Sequence, residues 1–273
     1  GRLKASRSVT SSLTCVGNLL VVGTVDYGTE ADPIPAAVTA EIVLNKSASM
    51  ANGKYRLLTP QTGDWQGLRF WGANKTPRTA MTATATTTDT VAVVGNATGW
   101  SVGDMLVFGA TPGNPSSAGI VYRTVTAISG LNITIGAAFG DTSHIGRTVL
   151  NITRNVKVRQ HQGASFRTGI SAFISTTQTV ANCIEMGNCE FALTGGVTDQ
   201  WRVYGLSIYY NGTTITTAAV KKLYRVVLHS VDSISGSTVV LAPISTGMLG
   251  CFGNQSVAYT AEEVTISTTS NAI

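Results

Sequence analysis

Short apolar runs of strand length recur along this chain, and each is closed by Gly, Asn, Asp or Pro. In the second half of the chain they follow one another at intervals of roughly 15–25 residues, which is typical of the coils of a β-solenoid. These later runs occupy residues 156–159, 170–174, 183–193, 203–210, 223–231 and 239–244. A β-sandwich can give a similar spacing, so periodicity alone leaves both folds open.

The composition favours strands over helices. Only 12% of the residues are charged and 43% are hydrophobic, so Thr, Ser, Asn and Gly supply much of the polar surface. These residues suit strands and turns better than helices. No long window keeps the period of an amphipathic helix, and the best helical candidate is the short segment 216–224. We therefore predict an all-β fold.

Neither a membrane span nor a secretory signal is predicted. No apolar run reaches the length of about 18 residues that a spanning helix needs, and Arg2, Lys4 and Arg7 interrupt the start of the chain. The chain begins inside a strand-like run and without a methionine, so we expect further residues upstream of Gly1.

The charge of the chain is a weak signal for a polyanionic partner. The net charge of +5 arises from 19 basic and 14 acidic residues. One basic cluster could meet phosphates or acidic sugars, and it consists of Arg154, Lys157, Arg159, His161 and Arg167. Because alternate residues of a strand share one face, a solvated strand face is the favoured interpretation, and no specific nucleic-acid partner is predicted.

Several segments match one architecture in order. Residues 17–44 contain a Gly-Thr step, a Pro loop and an Ala-x-Ile-x-Leu strand, and residues 99–108 carry Trp-x-x-Gly-Asp. A hairpin pattern, a histidine and a Thr-Arg-Asn-Val strand follow at 123–135, His144 and 150–158. Together these segments resemble the eight-glycine domain and the adjoining β-helix of fibrocystin-like proteins and of cell-surface hyaluronan-depolymerising proteins.

The resemblance implies two regions. Residues 1–98 would form a smaller β-sandwich-like or β-roll region that resembles the end of an eight-glycine domain. Residues 99–273 would form a β-hairpin and then a right-handed parallel β-helix, which buries its core between successive coils.

Turn residues are consistent with this architecture. Gly103 and Asp104 form a turn pair after Trp100, whose indole offers a large apolar surface for packing. Ser129-Gly130 predicts a tight hairpin turn. Asn155 suits a solenoid corner, because its side chain can hydrogen-bond to the backbone.

Candidate catalytic carboxylates are few. Glu185 and Glu190 are five residues apart, which on one strand places them on opposite faces. Asp199 is followed by Trp201, Arg202 and Tyr204, which could line a sugar groove. A loop acid beside aromatic residues of the coil is the favoured interpretation of that segment.

The densest aromatic segment contains Trp65 and Trp71. It could be a contact patch for a glycan or another protein, although a strand that packs onto the solenoid is favoured. The histidines, His144, His161 and His229, have no neighbours in the sequence that would make them ligands or catalytic bases, and Asp141 could orient His144. The cysteines, Cys15, Cys183, Cys189 and Cys251, are predicted to be free thiols. No metal site and no cofactor is predicted.

The sequence thus favours a non-catalytic structural or adhesive component of an extracellular or virion-surface assembly, such as a phage tail or fibre protein. Its expected partners are other structural subunits, with a homo-oligomer such as a trimer, and a host glycan. The alternative is a carbohydrate-active enzyme or a glycan-binding module that acts on acidic polysaccharide, by analogy with the hyaluronan-depolymerising proteins.

Overall fold

The structure is a computed structural model that contains strands, turns and loops. It describes residues 1–45, 54–60, 65–109, 121–142, 145–161, 167–175, 183–193, 206–211, 220–229, 233–235, 238–240, 249–252, 261–262 and 265–267. Over these ranges the structure contains no helix, and hence no helix that could cross a membrane. The all-β prediction is confirmed, and the part of the helical candidate that is described, Val220–Tyr224, is a strand.

The first strands follow one another in groups of three. The first group is β1 (Arg2–Lys4), β2 (Ser11–Val16) and β3 (Leu19–Leu20), and the second is β4 (Thr24–Tyr27), β5 (Ala40–Asn45) and β6 (Lys54–Leu58). The third group opens with β7 (Gly67–Trp71) and is interrupted after that strand.

The interruption is a separate compact unit, Asn74–Thr153. Its strands are β8 (Arg78–Ala80), β9 (Val91–Val93), β10 (Met105–Phe108), β11 (Val121–Ser129), β12 (Asn132–Ile135) and β13 (Thr148–Asn151). They form one antiparallel sheet in the order β8-β13-β10-β11-β12-β9. An antiparallel bridge between Met81 and Val94 joins the two edge strands, so the sheet closes into a six-stranded barrel.

The groups of three then resume. The third is completed by β14 (Val156–Gln160) and β15 (Arg167–Ser175), and the fourth is β16 (Ile184–Gly187), β17 (Cys189–Ala192) and β18 (Leu206–Asn211). The last strands are β19 (Val220–Tyr224), β20 (Val227–His229), β21 (Ser233–Ser235), β22 (Thr238–Val240), β23 (Leu249–Phe252), β24 (Ala261–Glu262) and β25 (Thr265–Ser267). Of these, β21 and β22 pair with each other as an antiparallel hairpin and with no other strand among the described residues.

Strands that hold the same position in successive groups pair with each other in parallel. The first strands form the sheet β1-β4-β7-β16-β19-β24, the second strands form β2-β5-β14-β17-β20-β25, and the third strands form β3-β6-β15-β18-β23. The chain therefore visits three parallel sheets in turn and returns to the first. This pairing begins at Arg2 and includes much of residues 1–98, which differs from the predicted order of a separate β-region followed by a solenoid.

The three sheets share one apolar interior. Ile42, Val158 and Phe191 are in register on adjacent strands of the second sheet, and all three are fully buried. From the first sheet, Phe70 reaches the Phe191 ring at 5.8 Å between ring centroids, in an edge-to-face arrangement. In-register stacking of this kind buries apolar surface between adjacent strands.

Asn155 holds a corner of this unit, as the sequence predicted. Its side-chain Nδ2 donates to the carbonyl oxygens of Ile34, Pro35 and Val38 at 3.1, 2.9 and 2.9 Å. Its Oδ1 accepts a hydrogen bond from the Ala73 amide at 2.9 Å. One side chain thereby pairs four backbone groups of two loops.

The barrel has a core of its own. It includes Trp100, Leu106, Phe108 and Phe139, and the rings of Phe108 and Phe139 meet edge-to-face with 5.0 Å between their centroids. The predicted packing of Trp100 is confirmed, since the residue is only 7% exposed.

Both predicted turns of the barrel are also present. Gly130, in the β11–β12 hairpin, has φ 61°, and Gly103 has φ 92°. Both values lie in the left-handed region that glycine adopts without steric cost.

The compact units do not divide at residues 98 and 99. The parallel sheets comprise Gly1–Ala73 and Arg154–Ile273, while residue 98 lies inside the barrel unit. The sequence signals of the two units interleave because the barrel is inserted between β7 and β14, two strands of the same group.

Candidate functional site

A column of alternating charge runs across the outer face of the first sheet. Lys4, Asp26, Arg69 and Glu185 are in register on β1, β4, β7 and β16, and the backbone position that follows in this register, on β19, is that of Lys222. Neighbouring strands therefore present opposite charges to each other, an arrangement that favours this register over a slipped one.

Asp26 is the most enclosed carboxylate of this column, with 1% exposure. It accepts hydrogen bonds from the Arg2 guanidinium and, at 3.1 Å, from the Gly28 amide. Arg7 lies 3.5 Å from its other side. Burial alone would raise the pKa of Asp26, but these donors and charges hold that pKa below its ordinary value of 3.8.

Glu41, on β5 in the second sheet, has a similar environment. The Arg159 guanidinium binds it through two nitrogens at 2.8 and 3.1 Å. Against the opposing effect of burial, this bidentate pair lowers the pKa of Glu41 below its ordinary value of 4.5.

The unfolding free energy is expected to fall on acidification because of these two carboxylates. Each has a folded-state pKa below its unfolded value, so the stability it contributes is complete above 3.8 and 4.5 and is lost as pH falls through the folded values. Urea midpoints measured from pH 7 to pH 3 should decrease, and the decrease should be shallower in Asp26→Asn. An Asp26→Asn variant with the parent's pH dependence would contradict the assignment to Asp26.

The two glutamates considered as a catalytic pair do not share a strand. Glu185 lies on β16 and Glu190 on β17, and between them Asn188 turns the chain with φ 46°. The expectation of opposite faces on one strand was therefore wrong. Glu185 accepts a hydrogen bond from the Glu30 amide at 2.6 Å and Glu190 accepts one from the Arg154 amide at 2.8 Å.

Both glutamates are largely enclosed. Glu185 is 7% exposed and Glu190 is 8% exposed. A carboxylate that is buried and already accepts a backbone hydrogen bond is poorly placed to reach a polysaccharide, so this geometry supports a structural role for both.

Both predicted aromatic contact residues are buried in the parallel-sheet unit, but in different surroundings. Trp65 is fully buried in its core, and Trp71 is 4% exposed. The Trp71 ring is nearly parallel to that of Tyr224, with 6.1 Å between centroids. The Arg225 guanidinium lies over the other ring of this pair, 4.9 Å from the centroid of Tyr224. Both side chains therefore pack against other groups of the same unit.

Gly187 makes this stack possible. It pairs in register with Trp71 on one side and Tyr224 on the other. A Cβ atom at Gly187 would lie 2.5 Å from Cδ2 and Cζ2 of the Trp71 indole. The ring therefore covers the space that a side chain would fill.

Gly187→Ala is expected to destabilise the parallel-sheet unit by about 1–3 kcal/mol, because the new methyl group must displace the Trp71 ring. Urea unfolding followed by tryptophan fluorescence measures the effect. Gly136→Ala is the matched control, since a Cβ atom there would have its nearest neighbours at 3.6 Å. Equal stability of the two variants would show that Trp71 does not lie over Gly187.

The basic cluster does not form one exposed surface. Arg154 is 1% exposed, and Arg159 is bound to Glu41. Lys157 is half-buried between Glu41 and Glu190 on the neighbouring strands, and His161 is exposed. The side chain of Arg167 lies outside the described residues. The interpretation as an ordinary strand face suits this arrangement better than a polyanion site.

Other predicted residues fall outside the described ranges. These are Asp199, Trp201, Arg202, Tyr204 and His144, together with the side chains of His229 and Cys251. Cys15, Cys183 and Cys189 are not part of a disulfide. Burial raises the pKa of Cys15 and, much further, that of Cys189. Within the described ranges, no three His, Cys, Asp or Glu residues lie close enough to hold a metal ion.

The solved structures similar to this chain include three phage tailspikes, all of low similarity. The Gp54 tailspike of Acinetobacter baumannii bacteriophage AP22, in complex with A. baumannii capsular saccharide, is 9% identical with a TM-score of 0.29, and the alignment covers 95% of this chain and 40% of that one. The tailspike gp61 of Pseudomonas phage phi297 is 11% identical with a TM-score of 0.27, and the alignment covers 77% of this chain and 42% of that one. The tailspike protein gp49 of Pseudomonas phage LKA1 is 10% identical with a TM-score of 0.28, and the alignment covers 94% of this chain and 44% of that one.

The chain thus spans less than half the length of each of these tailspikes. No protein-family model matches the sequence, and no curated protein matches it. The resemblance to the eight-glycine domain therefore has no support beyond the segments that suggested it.

No sequence signal identifies Asp26 and Arg69 as site residues. Arg69 lies inside the aromatic segment, and Asp26 lies within residues 17–44. The alternation of charge that links them becomes visible only when β4 and β7 are placed in register, and their sequence spacing contains no sign of it.

Proposed function

We propose that the three parallel sheets form a right-handed parallel β-helix and that this body is a non-catalytic structural or adhesive part of an extracellular or virion-surface assembly. The observation that carries the proposal is the repeated return of the chain to the same three sheets. Crossovers between parallel strands are nearly always right-handed, which supports the proposed hand.

The physical character of this body suits a scaffold. Its stability comes from stacked apolar residues and continuous backbone ladders, which need few surface charges. Its outer-facing acids on the first two sheets are largely used internally: Asp26 binds arginines, Glu41 binds Arg159, and Glu185 binds a backbone amide. Such a surface offers shape and hydrogen-bonding groups, and little acid-base chemistry.

A polysaccharide-cleaving enzyme is the second candidate, and reducing-end release separates the two. The full chain should release no reducing ends from acidic polysaccharides such as hyaluronan and polygalacturonate. Release that disappears in Asp199→Asn would replace the structural proposal by a catalytic one. Glu190→Gln is a useful comparison, since Glu190 is buried and its loss should affect stability first.

The assembly part of the proposal is tested by mass. Size-exclusion chromatography with light scattering should give a multiple of the 28.4 kDa chain, and a trimer is expected. A monomer at every concentration would count against a self-assembling fibre component. Signal on a glycan array without turnover would favour an adhesive role over a purely structural one.

A further inference from the structure

Arg69 is a cation without a counter-ion in the part of the chain that the structure describes. It lies on β7, in the charged column of the first sheet, and its side chain is half-buried. Its Nε atom is shielded from solvent and has no hydrogen-bond partner. A buried N–H group without a partner destabilises the fold, so its retention calls for an explanation.

The acids on either side of Arg69 are already engaged. Asp26, on β4, is bonded to Arg2 and the Gly28 amide, and Glu185, on β16, accepts the Glu30 amide at 2.6 Å. Neither forms an ion pair with Arg69 within 4.0 Å, among the pairs formed by described residues. The column thus supplies opposite charge one strand away but no direct ligand for this guanidinium.

Gly67 leaves the space that the Arg69 side chain occupies. The guanidinium lies over this residue, where an added Cβ atom would be 3.2 Å from Nε and 3.4 Å from the Thr24 methyl group. Because Gly67 has no side chain, Arg69 can lie along the sheet with Nε covered. Of the Arg69 side-chain nitrogens, only Nε is both buried and without a hydrogen-bond partner in the described part of the chain.

We propose that Arg69 binds a carboxylate group on the outer face of the first sheet. A planar carboxylate matches two N–H groups of a guanidinium. A singly charged group fits better than a phosphate, since Asp26 and Glu185 lie on the two neighbouring strands, about 4.8 Å away on each side, and repel a multivalent anion. We assign this carboxylate to the uronate of an acidic saccharide. That assignment rests on the proposed surface role, whereas the carboxylate site itself does not.

The test is a titration of the full chain followed by amide and arginine Nε–H signals in ¹H–¹⁵N spectra. Acetate and galacturonate should shift the Arg69 Nε–H signal and the Thr24 and Gly67 amides in a saturable way. Galactose, and chloride at the same ionic strength, should not. In Arg69→Lys, which keeps the positive charge of the column, half-saturation should require about tenfold more ligand, because the bidentate contact is lost.

Arg78→Lys is the matched control, because Arg78 is exposed on the barrel unit. It should leave the titration unchanged. Absence of saturable shifts, or equal shifts in the parent and Arg69→Lys, would overturn the site and leave Arg69 as a cation of the charge column only. Shifts with acetate but none with galacturonate would overturn the saccharide source. Neither result depends on the oligomeric state, so failure here is distinct from failure of the assembly proposal.

Discussion

Phe70→Ala is expected to lower the free energy of unfolding of the parallel-sheet unit by about 3–5 kcal/mol. Phe70 is fully buried on β7. Its ring is 5.8 Å from that of Tyr27 and 5.8 Å from that of Phe191, centroid to centroid. Truncation therefore removes apolar burial and leaves a cavity where residues of two sheets meet. Urea unfolding at pH 7, followed by tryptophan fluorescence, measures the loss.

Two variants sharpen this result. Phe70→Leu keeps most of the volume and should cost clearly less than Phe70→Ala. Leu20→Ala removes a comparable apolar group from a residue that is 55% exposed, and should change stability by no more than about 0.5 kcal/mol. If Phe70→Ala were as mild as Leu20→Ala, the sheets would not enclose a shared interior, and the proposed β-helix would be lost with it.

The local chemistry of this fold could be predicted, and much of its long-range pairing could not. The hairpin at Ser129-Gly130 and the packing of Trp100 depend on residues close in sequence, where turn geometry and side-chain size decide the outcome. Parallel pairing is different, because β5 pairs with β14 although the whole inserted barrel lies between them in the sequence. Nothing in the composition of residues 40–45 and 156–160 predicts that these two strands pair with each other.

The same limit explains the site residues. Trp65 and Trp71 are candidates from sequence because aromatic residues are common both at interfaces and in cores. Only their three-dimensional placement distinguishes an interface position from a buried one. The sequence predicts one strand through Glu185 and Glu190, but Asn188 forms a corner between them. Its left-handed φ is one that asparagine tolerates, and the presence of an asparagine alone does not predict it. A one-residue corner moves the second carboxylate to another sheet.

Asp104→Ala is expected to destabilise the barrel unit by about 3–5 kcal/mol, because it leaves a largely buried cation without its partner. The Asp104 carboxylate binds Nζ of Lys75 through both oxygens at 2.7 and 2.9 Å. It also accepts the Asn151 side-chain amide at 2.7 Å and the Ser101 backbone amide at 2.9 Å. Asp104 is 3% exposed and Asn151 is fully buried, so water cannot readily replace the lost acceptor.

A double-mutant cycle with Lys75→Met separates the ion pair from the other bonds of Asp104. The double variant should be less destabilised than the sum of the single variants, since it leaves no uncompensated charge. The Trp100 indole N–H, which donates to the Thr76 carbonyl at 2.8 Å, reports on this end of the barrel by NMR. Thr84→Ala, at an exposed position of the same unit, is the control. Additive single effects would mean that Lys75 and Asp104 act independently, and the turn at Gly103-Asp104 would then owe its stability to the Ser101 and Asn151 bonds alone.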